Sequence, residues 1–150
     1  MVTVAQLLPN DVAFVDRCLP LNRLDQQRAE GSIYLIAWDD DRPVGHAHIA
    51  WAGTHLGVPE IQDVFVVPEQ RRRGIAARLT EAAEQEARLR GWDTISLSVS
   101  ADGNVAARQL YAKLGYADAG VDPLRVTGTI MLRGRPFDVD DTLVYLVKAL

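Results

Sequence analysis

Six consecutive residues, Arg71-Arg72-Arg73-Gly74-Ile75-Ala76, hold the densest chemistry of the chain. They follow the apolar run Val64-Phe65-Val66-Val67, which stops at Pro68, and they open into a helical pattern through Ala77, Arg78 and Leu79. A glycine turn at a helix start leaves several backbone N–H groups without intrahelical acceptors, at the positive end of the helix dipole. Such a turn is an anion socket, most often one for phosphate. Three arginines beside it add the positive charge that a di- or triphosphate would want.

The chain that must position this turn has 150 residues, enough for one domain (1–150) with a single core. Apolar residues make up 48% and charged residues 24%, the balance of a globular protein. The net charge of −4 argues against nucleic acid as the main partner. Arg71, Arg72, Arg73 and Arg78 nevertheless cluster, while lysine occurs only at Lys113 and Lys148. A basic patch on an acidic chain favours a small polyanion. No uncharged stretch is long enough for a membrane helix, and the N-terminus lacks the features of a secretory signal. The single Cys18, read as a small core residue, excludes an intramolecular disulfide; together these features predict a cytoplasmic protein without a membrane partner.

Thr3–Leu7 reads as a first strand, and Pro9-Asn10-Asp11 as the start of a helix with Val12, Phe14, Val15 and Leu19 on its apolar side. A polar helix is expected over Arg23–Glu30, closed by Gly31. Ile33–Trp38 and Val44–Trp51 form a hairpin about Asp39-Asp40-Asp41-Arg42, and Glu60–Val67 is the next strand. Ile75–Arg90 is a helix whose Ile75, Leu79, Ala82, Ala83 and Ala87 share a face, with i,i+4 pairs Glu84/Arg88 and Glu86/Arg90 and a stop at Gly91. Thr94–Val99 is a strand, Asn104–Leu114 a helix ended by Gly115, and Leu143–Val147 a closing strand. The order implies a mixed α/β domain with crossover helices, six to seven strands and helices on both faces.

The turn is not a P-loop, which needs a Lys-Ser/Thr pair after its second glycine, nor a Rossmann fingerprint with three spaced glycines. It reads Arg-x-x-Gly-x-Ala between a strand and a helix. In this it resembles the coenzyme loop, Gln/Arg-x-x-Gly-x-Gly/Ala, of the GNAT superfamily of N-acetyltransferases. A second segment, Asn104-Val105-Ala106-Ala107-Arg108-Gln109-Leu110-Tyr111-Ala112-Lys113-Leu114-Gly115-Tyr116, is similar to the superfamily's Asn-x-x-Ala-x-x-x-Tyr-x-x-x-Gly-Phe/Tyr signature, one strand further on. The resemblance is clear from Tyr34 to Gly115 and looser at both ends. It implies the GNAT-like acyl-CoA N-acyltransferase fold and transfer of an acetyl group from acetyl-CoA to a primary amine by direct attack in a ternary complex. The alternative is a non-catalytic acetyl-CoA sensor or scaffold. A homodimer is the family-level expectation for assembly.

By the resemblance, N–H groups of Arg73, Gly74, Ile75, Ala76 and Ala77 surround the coenzyme pyrophosphate, and Arg71 and Arg72 belong to the same coenzyme-binding set. Backbone groups of Phe65 and Val67 bind the pantetheine arm in a gap between two strands, and an N–H such as that of Val66 polarises the thioester carbonyl. Tyr111 matches the position that protonates the departing thiolate, although it also lies on the apolar face with Ala107, Leu110 and Leu114. Asn104 is either a coenzyme contact or the N-cap of its helix. An alkylamine of pKa ~10 is mostly protonated at neutral pH, so a base is required. Glu60, fourteen residues before Gly74, has the spacing of the glutamate base in histone-type members. Asp63 and a chain of waters are the alternatives; on a regular strand Asp63 faces the other side.

His46 and His48 share a strand face and lack further ligands at metal-binding spacing, so no metal is expected, and they line the acceptor pocket or sit in the core or at the surface. The segment 117–142 exceeds the family's usual closing hairpin. It is read as an extended hairpin, with Val126–Leu132 and a turn at Gly134-Arg135-Pro136, lying over the acceptor pocket. Arg125, Arg133 or Arg135 could there meet a substrate carboxylate or remain solvated.

Overall fold

The computed structural model describes residues 1–24, 31–103 and 105–150. Most of the polar helix expected over 23–30, and Asn104, lie outside the described residues. Strands β1 (Val2–Gln6), β2 (Ser32–Asp39), β3 (Arg42–Ala50) and β4 (Glu60–Val66) run antiparallel to one another in order. Between β1 and β2 lie a 3₁₀ turn at Pro9–Asp11 and helix α1 (Val12–Cys18). A crossover through helix α2 (Ile75–Leu89) then places β5 (Thr94–Ser100) parallel to β4. Helix α3 (Val105–Lys113) leads to β6 (Ala117–Asp118), β7 (Leu124–Leu132) and β8 (Arg135–Ala149). The sheet order is β1-β2-β3-β4-β5-β8-β6, with β7 also on β8, giving eight strands. The count exceeds six or seven because the segment 117–142 supplies β6 and β7 as well as the first half of β8.

Alternation along β2 sorts its side chains onto two faces. Ile33, Leu35 and Ala37 join Ala47 and Ile49 of β3 beneath Ile75, Leu79, Ala83 and Ala87 of α2. Tyr34 and Ile36 face the other way, against Val15 of α1 and Leu19 and Leu21 just beyond it. Both faces are therefore covered by helices, as expected. Cys18 is exposed on α1 and is not a core residue, because the inward stripe of that short helix is carried by Val15.

Helices α2 and α3 end alike. The N–H of Trp92 bonds the Ala87 carbonyl and that of Gly91 the Arg88 carbonyl; Tyr116 and Gly115 repeat the pattern on Tyr111 and Ala112. These are Schellman closures, with Gly91 at φ 85° and Gly115 at φ 96°. The second closure brings the Tyr116 ring edge-on to Tyr111, with centroids 5.8 Å apart. The expected pairing of Glu84 with Arg88 gives way to a buried one: Glu84 accepts from Tyr116 Oη and Lys148 Nζ, each at 2.8 Å. Arg90 lies over the Trp51 ring, 4.1 Å from its centroid. Apolar packing of α2 on the sheet turns Glu84 inward, where a charge needs partners.

Candidate active site

Strands β4 and β5 touch only at Glu60↔Ser96 and Ile61↔Leu97 and diverge beyond that point. The register between β3 and β4 slips between His46 and His48, and Asp63 sits at φ 51°. This bulge adds a residue to β4 and re-aims the side chains beyond it. It also turns Asp63 toward the same cleft as Glu60, so the strand is not regular there and the two carboxylates do not point apart.

On one side of the divergence is a cleft of about 580 Å³, lined by Phe65, Arg72, Gly74, Ala76 and Tyr111 among others. Arg72 at φ 66° and Gly74 at φ 75° are two left-handed residues separated by one position, the kind of backbone alternation that builds anion-binding concavities. Gly74 is the N-cap of α2 with no side-chain capping bond, and no acidic residue occupies the first helical turn. A Cβ added at Gly74 would meet nothing within 4 Å, so the backbone angle is what calls for glycine there.

The three arginines are not equivalent. Arg71 folds back onto β4: its Nε donates to the Val66 carbonyl at 2.9 Å and its guanidinium lies over Phe65, 5.7 Å from the ring centroid. Arg73 bonds Gln70 and lies 3.8 Å from Asp39. Arg71, Arg72, Gly74, Ile75, Ala76 and Ala77 line the cleft. Of β4, Phe65 and Val66 line it as well, whereas the Val67 N–H donates to Val44 and its carbonyl accepts from Gln70.

A second cleft of about 440 Å³ adjoins the first, lined by Glu60, Gln62, Asp63, Ser98, Tyr111 and Tyr145 among others. The two clefts share Val64, Ala107 and Tyr111. Tyr111 is 8% exposed, and burial raises its pKa, so the phenol keeps its proton at neutral pH. Among the described residues its hydroxyl has no hydrogen-bond partner.

Behind the second cleft is a polar cluster that the linear sequence did not disclose. Asp63 accepts from Tyr34 Oη at 2.5 Å and from the backbone and side chain of Asn22 at 3.1 and 3.3 Å. The Arg23 N–H donates to Tyr34 Oη at 2.7 Å. Burial and the Asp63 carboxylate both raise the Tyr34 pKa. Asp63 is thereby committed to holding the bulge. His48 stands opposite Tyr34 in the hairpin register, its Nδ1 3.1 Å from Gln62 Oε1, and Gln62 Nε2 donates to Glu60 Oε2 at 2.5 Å. Burial lowers the pKa of both histidines, that of His48 to about 4. Aligning the β2–β3 hairpin would have paired Tyr34 with His48, but the Gln62 and Asp63 contacts depend on the bulge.

Arg125 pairs with Asp140, and Arg133 bonds Asp16 and the Leu21 carbonyl, so both have protein partners. On β8, Asp140 accepts from Arg125, Asp138 from Thr129 Oγ1 at 2.8 Å and Asp141 from Ser100 Oγ at 2.7 Å.

Residues 5–116 match the model of the Acetyltransferase (GNAT) family. Over 101 residues, 67% of the chain, the sequence is 30% identical to a mycothiol acetyltransferase of Clavibacter michiganensis subsp. michiganensis (strain NCPPB 382). That stretch covers 32% of the relative, so the chain spans about a third of its length. The fold is similar to that of a Bacillus subtilis acetyltransferase in complex with CoA, with TM-score 0.72 and 17% identity over 100% of this chain and 99% of the other. A GNAT family acetyltransferase from Elizabethkingia anophelis with acetyl-CoA bound gives TM-score 0.68 and 15% identity over 99% and 98%. With both signature segments in place around one diverging strand pair, this chain belongs to the GNAT family of acetyltransferases.

Proposed function

We propose that this protein moves an acetyl group from acetyl-CoA to a primary amine by direct attack within a ternary complex. The observation that carries the proposal is the pair of clefts that share Tyr111: a donor in one and an acceptor in the other would meet there and react without a covalent enzyme intermediate. The amides at the start of α2, from Arg73 to Ala77, would take the pyrophosphate, with the α2 dipole behind them. Phe65 and Val66 would line the pantetheine path, and an N–H of β4 would stabilise the carbonyl oxygen as it gains charge.

In the reaction the amine nitrogen bonds to the thioester carbon while the C–S bond breaks. Glu60 receives the amine proton, and the Tyr111 hydroxyl gives its proton to the departing sulfur. Burial keeps that hydroxyl protonated until the thiolate forms. Glu60 is 7% exposed, and its Oε1 has no partner among the described residues, which leaves it free to accept.

The test has two parts. Millimolar acetyl-CoA should raise the melting temperature through binding to the folded state, and a panel of amines should release free CoA thiol. No thermal shift would sink the donor assignment. A shift without turnover on any amine would instead make the protein a coenzyme sensor.

A further inference from the structure

We infer that His48 and Gln62 are positioning residues for the acceptor-side base, holding Glu60 so that one carboxylate oxygen is fixed and the other is left for the amine. The inference rests on the reading of Glu60 as that base and adds how the carboxylate is aimed. Glu60 presents an acceptor-only carboxylate to Gln62, so the Gln62 amide must turn its Nε2 toward Glu60, as it does at 2.5 Å. Its Oε1 is then the atom facing His48, and the 3.1 Å contact there requires a proton on His48 Nδ1.

The histidine can meet that requirement while neutral. It is fully buried, and desolvation brings its pKa down to about 4. Near neutral pH it is therefore the Nδ1–H tautomer with a bare Nε2, and Nε2 is indeed buried without a partner among the described residues. The ring is held by Tyr34, 4.9 Å away between centroids. The charged or titratable groups facing it are Tyr34 from β2, His46 from β3, Asp63 from β4 and Arg23 from the segment after α1. A neutral donor at this place supports the Glu60 carboxylate without pairing with it as a cation would.

The chain therefore runs His48 Nδ1–H to Gln62 Oε1 and Gln62 Nε2–H to Glu60 Oε2, on a residue that lines the acceptor cleft and whose Oε1 is buried without a partner among the described residues. Loss of Gln62 removes a hydrogen bond to the charged form of the base. Gln62→Met keeps the side-chain length and removes both polar ends.

The experiment measures kcat, KM and the pH profile of kcat/KM for wild type, Glu60→Gln, Gln62→Met, His48→Asn and His48→Leu, using an amine that the wild type acetylates. Melting curves and acetyl-CoA binding identify any variant that fails to fold. Gln62→Met should lower kcat by about 10- to 100-fold, part of the gain that a general base supplies, with the KM for acetyl-CoA unchanged. Its pH profile of kcat/KM should differ from that of the wild type. His48→Asn keeps a donor near the Nδ1 position and should stay within about threefold of wild type, whereas His48→Leu should resemble Gln62→Met. The double variant Gln62→Met/His48→Leu should be no slower than Gln62→Met alone, because the two act on one carboxylate. Full activity in Glu60→Gln overturns the reading of the base. A slow Glu60→Gln beside a folded Gln62→Met with wild-type rate and pH profile overturns the positioning role alone.

Discussion

At the scale of single residues, Tyr111 carries the sharpest test. Its ring is held by the Tyr116 edge and by the closure of α3, and the residue lines both clefts. Tyr111→Phe removes one oxygen that has no protein partner among the described residues, so folding stability should change by less than about 0.5 kcal/mol. Turnover should fall by about 10²–10⁴, the worth of a positioned acid, with acetyl-CoA affinity nearly unchanged. Steady-state kinetics and coenzyme titration separate the two, and unchanged turnover would remove Tyr111 from the mechanism. The sequence singles out Tyr111 and the Arg71–Ala76 turn from contiguous signatures and Glu60 from its spacing to Gly74, and Tyr111 and Glu60 line one cleft. Gln62 and His48 were not legible as a pair: their contact crosses two strands through an irregular register.

Among the elements, the β7–β8 arm is the one that departs from a compact sheet. Its strands pair from Leu124↔Leu143 to Leu132↔Arg135, and Ile130, Met131 and Phe137 are exposed. A lone two-stranded ribbon is marginal in water, so its tip needs an anchor. Arg133 supplies it by bonding the Asp16 side chain and carbonyl on α1 and the Leu21 carbonyl just beyond that helix. An extended hairpin was expected from the sequence, but the turn falls at Arg133-Gly134, at φ 52° and 78°, rather than at Gly134-Arg135-Pro136. The long first half of β8 was hidden by Pro136 and three aspartates, residue types that disfavour strands. Arg133→Ala should cost under about 1 kcal/mol of global stability, since the pair is partly exposed. Amide exchange along the arm should accelerate, and the KM for the amine should rise about fivefold, equivalent to about 1 kcal/mol, with that for acetyl-CoA constant. Wild-type exchange and amine KM in this variant would show that the anchor does not shape the acceptor site.

Taken as a whole, the molecule is built so that a parallel strand pair opens while the surrounding layers stay closed. Periodicity gave the layers, because α2, β2 and β3 each display one clean apolar face. The opening itself depends on the Asp63 bulge and the buried cluster bracing it, which no local pattern encodes. That cluster makes stability depend on pH in a defined direction. His48 has a pKa near 6.5 when unfolded and about 4 when folded, and His46 is shifted the same way. Between those values the unfolded chain binds more protons than the native one, so stability falls as pH drops. The neutral histidine is favourable above about pH 6.5, and its contribution is lost progressively toward pH 4, up to about 3 kcal/mol at 1.36 kcal/mol per pKa unit. Urea midpoints taken from pH 7.5 to 4.5 should therefore decline. His48→Asn, which cannot titrate, should make the decline shallower while leaving His46 to contribute. Identical slopes in the two proteins would mean that His48 is not held neutral in the native state.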